Sequence, residues 1–146
     1  MNIAISSDHG GNVLRKEITS LLDELGHTYQ DFGPHTSDSV DYPDYATPVT
    51  KGVVSGEFDR GILICGTGIG MSIAANKVKG IRCALVHDLF SAKATRGHND
   101  TNVLAMGERV IGAGLAREIV KTWLEGEFEG GRHERRISKL TALENE

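Results

Sequence analysis

Hydrophobic positions along the chain follow two alternating periods. Ile3-Ala4-Ile5 is a short apolar run that predicts a buried strand, broken at Asp8-His9-Gly10-Gly11. Leu14, Ile18, Leu21 and Leu25 then recur at helical spacing until Gly26. Thr28 to Phe32 predicts a second strand, closed by Gly33-Pro34, and Ala46, Val49 and Val53 keep helical spacing up to Gly56. Gly61-Ile62-Leu63-Ile64-Cys65 is apolar at successive positions, the mark of a parallel strand covered on both faces. A Gly-rich turn follows, and then a helix predicted from Met71 to Val78.

Further on, Ile81 to Val86 predicts a fourth buried strand, Ser91 to Arg96 a short helix, and Asn102 to Met106 a fifth strand. Leu115, Ile119, Val120 and Trp123 mark one helix face, and a polar hinge from Glu125 to Gly131 precedes a last helix from Arg132 to Leu143. This β-then-α order predicts an α/β fold: a three-layer α/β/α sandwich on a five-stranded, Rossmann-like parallel sheet with right-handed crossovers. No repeat and no long linker divides the sequence, so residues 1–146 read as one domain.

Composition narrows the functional classes. The 18 glycines come with only 3 prolines and no G-X-Y period, which rules out collagen-like and low-complexity chains. A net charge of -4 offers no general attraction to nucleic acid or an anionic membrane, so any bound anion needs a local basic cluster. Cys65 and Cys83 form neither a disulfide framework nor a zinc-spaced pattern and read as free thiols. The Met1-Asn2-Ile3 start lacks a signal-peptide pattern and no run approaches a membrane span, so the expectation is a cytoplasmic protein.

In open parallel sheets, ligands bind beyond the carboxyl ends of the strands where the winding direction reverses. If strands 2 and 3 flank strand 1, Ser7-Asp8-His9-Gly10-Gly11 and Cys65-Gly66-Thr67-Gly68-Ile69-Gly70 face one crevice. The second loop fails three known patterns. The spacing of its glycines does not fit a dinucleotide fingerprint, no Gly-Lys-Ser/Thr follows for a nucleoside-triphosphate loop, and Met71 stands where a C-x5-R phosphatase has Arg. What remains is a Cys at a strand end followed by amides free to point at an anion. Such amides stabilise a thiolate or a developing oxyanion, so Cys65 fits a base or a nucleophile, or else a small apolar residue ending a buried strand.

The six histidines contain neither HExxH nor a His-x3-His pair, so no metal site is expected. His98, in the polar stretch Gly97-His98-Asn99-Asp100 that reads as a loop before strand 5, is the best acid/base candidate by local character. Asp8 fits either a chemical role or a cap for the first helix, and Thr67 either a chemical role or a hydroxyl that stabilises its loop. Arg132 and Arg136 share a helix face suited to phosphate, and Gly130-Gly131 gives them freedom to fold back toward the crevice; a solvated basic helix end is the alternative.

Several of these segments together resemble the type B ribose-5-phosphate isomerase family: Asp8-His9-Gly10, Asp41-Tyr42-Pro43, Cys65 through Lys77, His98 through Leu104, and Gly130-Gly131-Arg132-His133. The resemblance runs from the first strand to the last helix and implies a cofactor-free, metal-free aldose–ketose isomerase acting through an enediolate on ribose 5-phosphate and ribulose 5-phosphate. It implies that Cys65 is the base, that Thr67 assists proton movement, and that the amides of Gly66, Thr67, Gly68, Ile69 and Gly70 hold the enediolate oxygen. His98, with Asp8, would open the sugar ring. His9, Arg132 and Arg136 would bind phosphate, and Tyr42, Asn99 and Arg109 would complete the substrate contacts. His98 and Arg109 would come from a neighbouring subunit, making the protein a homodimer or tetramer with shared sites. The family's strand order, 2-1-3-5-4, keeps strands 1 and 3 adjacent. Galactose- or allose-6-phosphate isomerase subunits and a non-catalytic sugar-phosphate binding domain are the competing readings.

Overall fold

A computed structural model describes residues 1–146. Five parallel strands, β1 (Asn2–Ser7), β2 (Thr28–Asp31), β3 (Arg60–Cys65), β4 (Cys83–Leu85) and β5 (Val103–Gly107), form one sheet in the order β2-β1-β3-β5-β4. The α-helices are α1 (Asn12–Glu24), α2 (Tyr42–Val54), α3 (Ile69–Asn76), α4 (Leu89–Asn99), α5 (Ala113–Glu125) and α6 (Arg132–Leu143), with a short 3-10 turn at His9–Gly11. The α/β architecture expected from the hydrophobic spacing is therefore present, and β1 lies directly beside β3.

The apolar run in β3 explains the layering. Successive side chains of a strand point to opposite faces. Accordingly Ile62 and Ile64 join the core under α1 and α5, with Ile18, Ile119 and Trp123, while Leu63 and Cys65 join the core under α2 and α3, with Val49 and Met71. Ile62, Leu63 and Ile64 are fully buried, and burial of each such side chain is worth about 1.5–3 kcal/mol. Between β1 and α1, the buried Arg15 pairs with Asp31 at 3.0 Å and donates to the Pro34 carbonyl and the Ser7 hydroxyl. This ties the ends of two strands together just before Asp8.

The fourth strand and the helix after it depart furthest from their sequence-based expectation. The fourth strand covers only Cys83–Leu85 and is half-exposed, because it occupies the edge of the sheet; Ile81 and Val86 are buried but flank it. The helix expected from Ser91 to Arg96 begins at Leu89, where the Asp88 side chain accepts from the Ser91 amide, and runs on to Asn99. His98 and Asn99 therefore occupy the last helical turn rather than a loop, and Asp100 ends the helix in the left-handed region at φ 46°.

Candidate active site

At the carboxyl ends of β1, β3 and β5 the chain packs backbone on backbone, and glycine makes this possible. A Cβ on Gly11 would lie 2.7 Å from the Ile64 carbonyl, and one on Gly107 would lie 2.6–2.7 Å from the Thr67 backbone. Gly10 abuts the Gly66 amide, so the loops after β1 and β3 touch as the crevice argument expects. Gly68, at φ 77°, turns the chain left-handed directly before α3, which starts at Ile69, two residues ahead of the expected Met71.

Cys65 ends β3 with its side chain 5% exposed, and its Sγ accepts the Gly68 N–H at 3.1 Å. Negative charge on this sulfur thus has a backbone partner and faces the amino end of α3. Cys83 differs: burial pushes its thiol up to about 12, which leaves it protonated and unreactive. The Thr67 hydroxyl accepts the Ile69 N–H at 3.2 Å, so its own O–H proton is free to be donated elsewhere. Asp8 caps the short 3-10 turn rather than α1, accepting the Gly10 amide at 2.8 Å, and that bond holds its carboxylate beside the Gly66 loop. His9 Nδ1 accepts the Val40 N–H at 3.2 Å, which places the ring proton on Nε2 and makes that nitrogen a donor. Tyr42, at the start of α2, lies against Gly70: a Cβ there would come within 2.8 Å of its ring.

Arg109 belongs to this group as well. Its amide donates to the Gly66 carbonyl, and its side chain runs past Gly66 of its own chain. Arg109 and His98, expected together from a neighbouring subunit, do not share an end of the sheet: Arg109 follows β5 beside the Cys65 loop of its own chain, and α4 ends at the opposite side. Helix α4 leaves the carboxyl side of the sheet and descends 11 residues, about 16 Å, before reaching the turn that feeds β5.

Around that lower turn lies a second cluster. His98 and His133 stack with centroids 4.2 Å apart and planes 8° from parallel, and His98 Nε2 is 3.4 Å from Glu129 Oε2. Burial, followed by the His98 and Arg132 charges, pushes His133 below the ordinary histidine value. Asn99, Arg132 and Arg136 are exposed beside these rings. Arg96 and Arg82 brace the turn through Asp100, and Trp123 donates to Thr101 at 3.0 Å. Arg132 and Arg136 do not fold back toward His9 as the diglycine suggested; α6 packs on α4, so they accompany His98 instead.

Glu129 and His133 are the residues that sequence reasoning passed over, because an acidic, Gly-containing hinge reads as solvated. His87 is another: its Nε2 accepts the Gly107 N–H at 2.9 Å, bracing the strand end that carries Thr67's neighbour. For a cation, only His98, Glu129 and His133 offer three ligand atoms within 4.8 Å of one another. The two stacked rings direct their nitrogens in parallel planes rather than toward a common point, and would have to rotate to share an ion. No helix is long and apolar enough to cross a membrane.

Comparison with known proteins bears on what these residues do. The ribose/galactose isomerase family model matches residues 3–140. A Bacillus subtilis protein, provisionally assigned as a sugar phosphate isomerase, is 70% identical over 99% of this chain and 97% of its own. The structure of Clostridium thermocellum ribose-5-phosphate isomerase B is 54% identical, covers 99% of this chain and 98% of its own, and superposes with a TM-score of 0.98. Mycoplasma genitalium ribose-5-phosphate isomerase B, whose crystal structure holds ribulose 5-phosphate, is 44% identical over 99% of this chain and 97% of its own, with a TM-score of 0.95.

Proposed function

Because the chain belongs to the ribose/galactose isomerase family and is thus a sugar-phosphate aldose–ketose isomerase, we propose that it interconverts ribose 5-phosphate and ribulose 5-phosphate with Cys65 as the base. The observation that carries the assignment is Cys65 itself, a free thiol at the end of β3 with the Gly68 amide on its sulfur. In the open aldose, Cys65 removes the proton on C2 and the C1 carbonyl becomes the enediolate oxygen. The amides of this loop not given to the Cys65 sulfur or the Thr67 oxygen, those of Gly66, Thr67 and Gly70, stabilise that oxygen, and preorganised donors of this kind contribute about 3–4 kcal/mol each. The Thr67 hydroxyl, its oxygen already held by Ile69, passes a proton between O1 and O2. Returning the proton to C1 completes the ketose with no net change in atoms or electrons.

The remaining groups divide by chain. Asp8, His9, Tyr42 and Arg109 lie with Cys65, whereas His98, Asn99, Arg132 and Arg136 lie about one helix length away. One chain therefore cannot assemble the full set. A second copy, related by two-fold symmetry, brings its lower cluster over the first chain's Cys65 loop and receives the same in return. His98 then opens the furanose ring, Arg132 and Arg136 bind phosphate together with His9 Nε2–H, and Asn99 contacts the sugar. Ile69, Ile73, Leu85, Leu89 and Phe90 leave apolar side chains exposed around the Cys65 end, a surface suited to such a partner. Residues 1–146 act as one catalytic unit, and the free thiols of Cys65 and Cys83 fit a reducing, cytoplasmic setting. Side-by-side assays with ribose 5-phosphate, allose 6-phosphate and galactose 6-phosphate test the substrate: the pentose phosphate is expected to have the highest kcat/KM, and a hexose phosphate ahead of it would overturn the assignment.

A further inference from the structure

Against the helical turn that carries His98, the connection between α5 and α6 lays a carboxylate with no part in the reaction as described so far. Glu129 is tied to the last turn of α4 through its backbone, its amide donating to the Gly97 carbonyl at 3.0 Å. From there its side chain passes over Gly97 to reach His98. The path is so tight that a Cβ on Gly97 would sit 2.3 Å from Glu129 Oε2. At 3.4 Å from His98 Nε2, the carboxylate oxygen is within ion-pairing reach. A carboxylate has only lone pairs to offer, so this approach favours the tautomer in which Nε2 carries the proton. On its face, the same ring is held by the buried His133, stacked at 4.2 Å. One ring nitrogen thus faces a carboxylate, one ring face rests on His133, and Nδ1 is left as the lone pair available for proton transfer.

We propose that Glu129 is a positioning residue for ring opening, fixing the tautomer and orientation of His98 against the His133 ring so that Nδ1 faces the sugar's anomeric hydroxyl. The inference rests on the reading of His98 as the ring-opening group. In the step it serves, Nδ1 takes the proton from the anomeric O1–H, the O1 electrons form the C1 carbonyl, and the C1–O4 bond breaks. The proton held on Nδ1 then passes to the ring oxygen, O4, so His98 is regenerated and the open aldose differs from the closed form only in connectivity. Glu129 takes no proton in this scheme; its carboxylate, 3.4 Å from Nε2, favours the tautomer with the proton there, as the third member of a catalytic set orients its base.

Nitrogen-15 spectra of the histidine rings in the intact protein test the tautomer without substrate. In the wild type, His98 is expected as the Nε2–H form, and Glu129→Gln, which keeps an acceptor oxygen, should preserve it. Glu129→Ala should lose the bias, with kcat on ribose 5-phosphate falling at least tenfold and KM changing less than twofold. Gly97→Ala provides an independent route, since its methyl group displaces the carboxylate without removing any polar atom; it should reproduce the Glu129→Ala spectrum. Solvent exchange of the ketose C1 proton, which requires Cys65 but no ring opening, should stay near the wild-type rate in both variants. An Nδ1–H form in the wild type, or an unchanged His98 spectrum in Glu129→Ala, would overturn the role of Glu129. A changed spectrum with undiminished turnover would instead overturn the ring-opening role of His98.

Discussion

At the scale of single residues, Cys65 and His87 make separable predictions. Removing the proposed base should cripple chemistry and spare binding: Cys65→Ala is expected to lower kcat by roughly 10²–10⁴-fold with ribulose 5-phosphate binding retained, as measured by steady-state kinetics and calorimetry. His87 contributes stability through its neutral form. Burial pushes it below the ordinary value of 6.5, and its lone pair on Nε2 receives the Gly107 amide. The unfolded chain therefore binds a proton first, so this contribution is intact above pH 6.5 and is lost as the pH falls through the folded-state value. Melting temperatures recorded from pH 7.5 down to 5 should fall less steeply in His87→Asn than in the wild type. His27 and His133 are also held low, so some acid sensitivity should persist in the variant.

Individual elements show what the sequence could and could not convey. The unbroken apolar run of β3 and the helical spacing of Leu14, Ile18 and Leu21 disclosed strand, helix and covered sheet directly, because burial on both faces leaves no room for polar residues. Glycine at 66, 68 and 70 likewise exposed the turn after Cys65. The last turn of α4 was hidden for the opposite reason. Gly-His-Asn-Asp has the composition of a loop, and only the bracing by Arg82, Arg96 and Trp123 makes it helical as far as Asn99. The hinge carrying Glu129 was equally opaque, since nothing in its spacing reveals that it lies over Gly97. Where strand ends meet backbone to backbone, the cost of a single methyl group should be high. Gly107→Ala at the end of β5 presses on the Thr67 main chain, which has no flexible tip to yield. It is expected to destabilise the protein by about 1–3 kcal/mol in urea unfolding and to lower turnover along with it.

For the whole molecule, the separation of the two clusters by the height of the sheet predicts complementation between inactive variants. Cys65→Ala and His98→Asn homodimers, unfolded together and refolded as an equal mixture, should recover about a quarter of wild-type activity, because half the dimers are mixed and one of their two sites is intact. No recovery, with mixed dimers verified by mass, would place both residues in the site of a single chain. The descent of α4 from the Cys65 end to the His98 end has a quantitative corollary. On the proposed assignment, a chain that carries its base at one end and its ring-opening group at the other has no complete site when it stands alone, so catalysis should obey mass action in the protein itself. Well above the dimer dissociation constant, the rate is proportional to the amount of protein; on dilution below it, the rate follows the square of concentration, and a cell's isomerase capacity vanishes faster than its supply of chains.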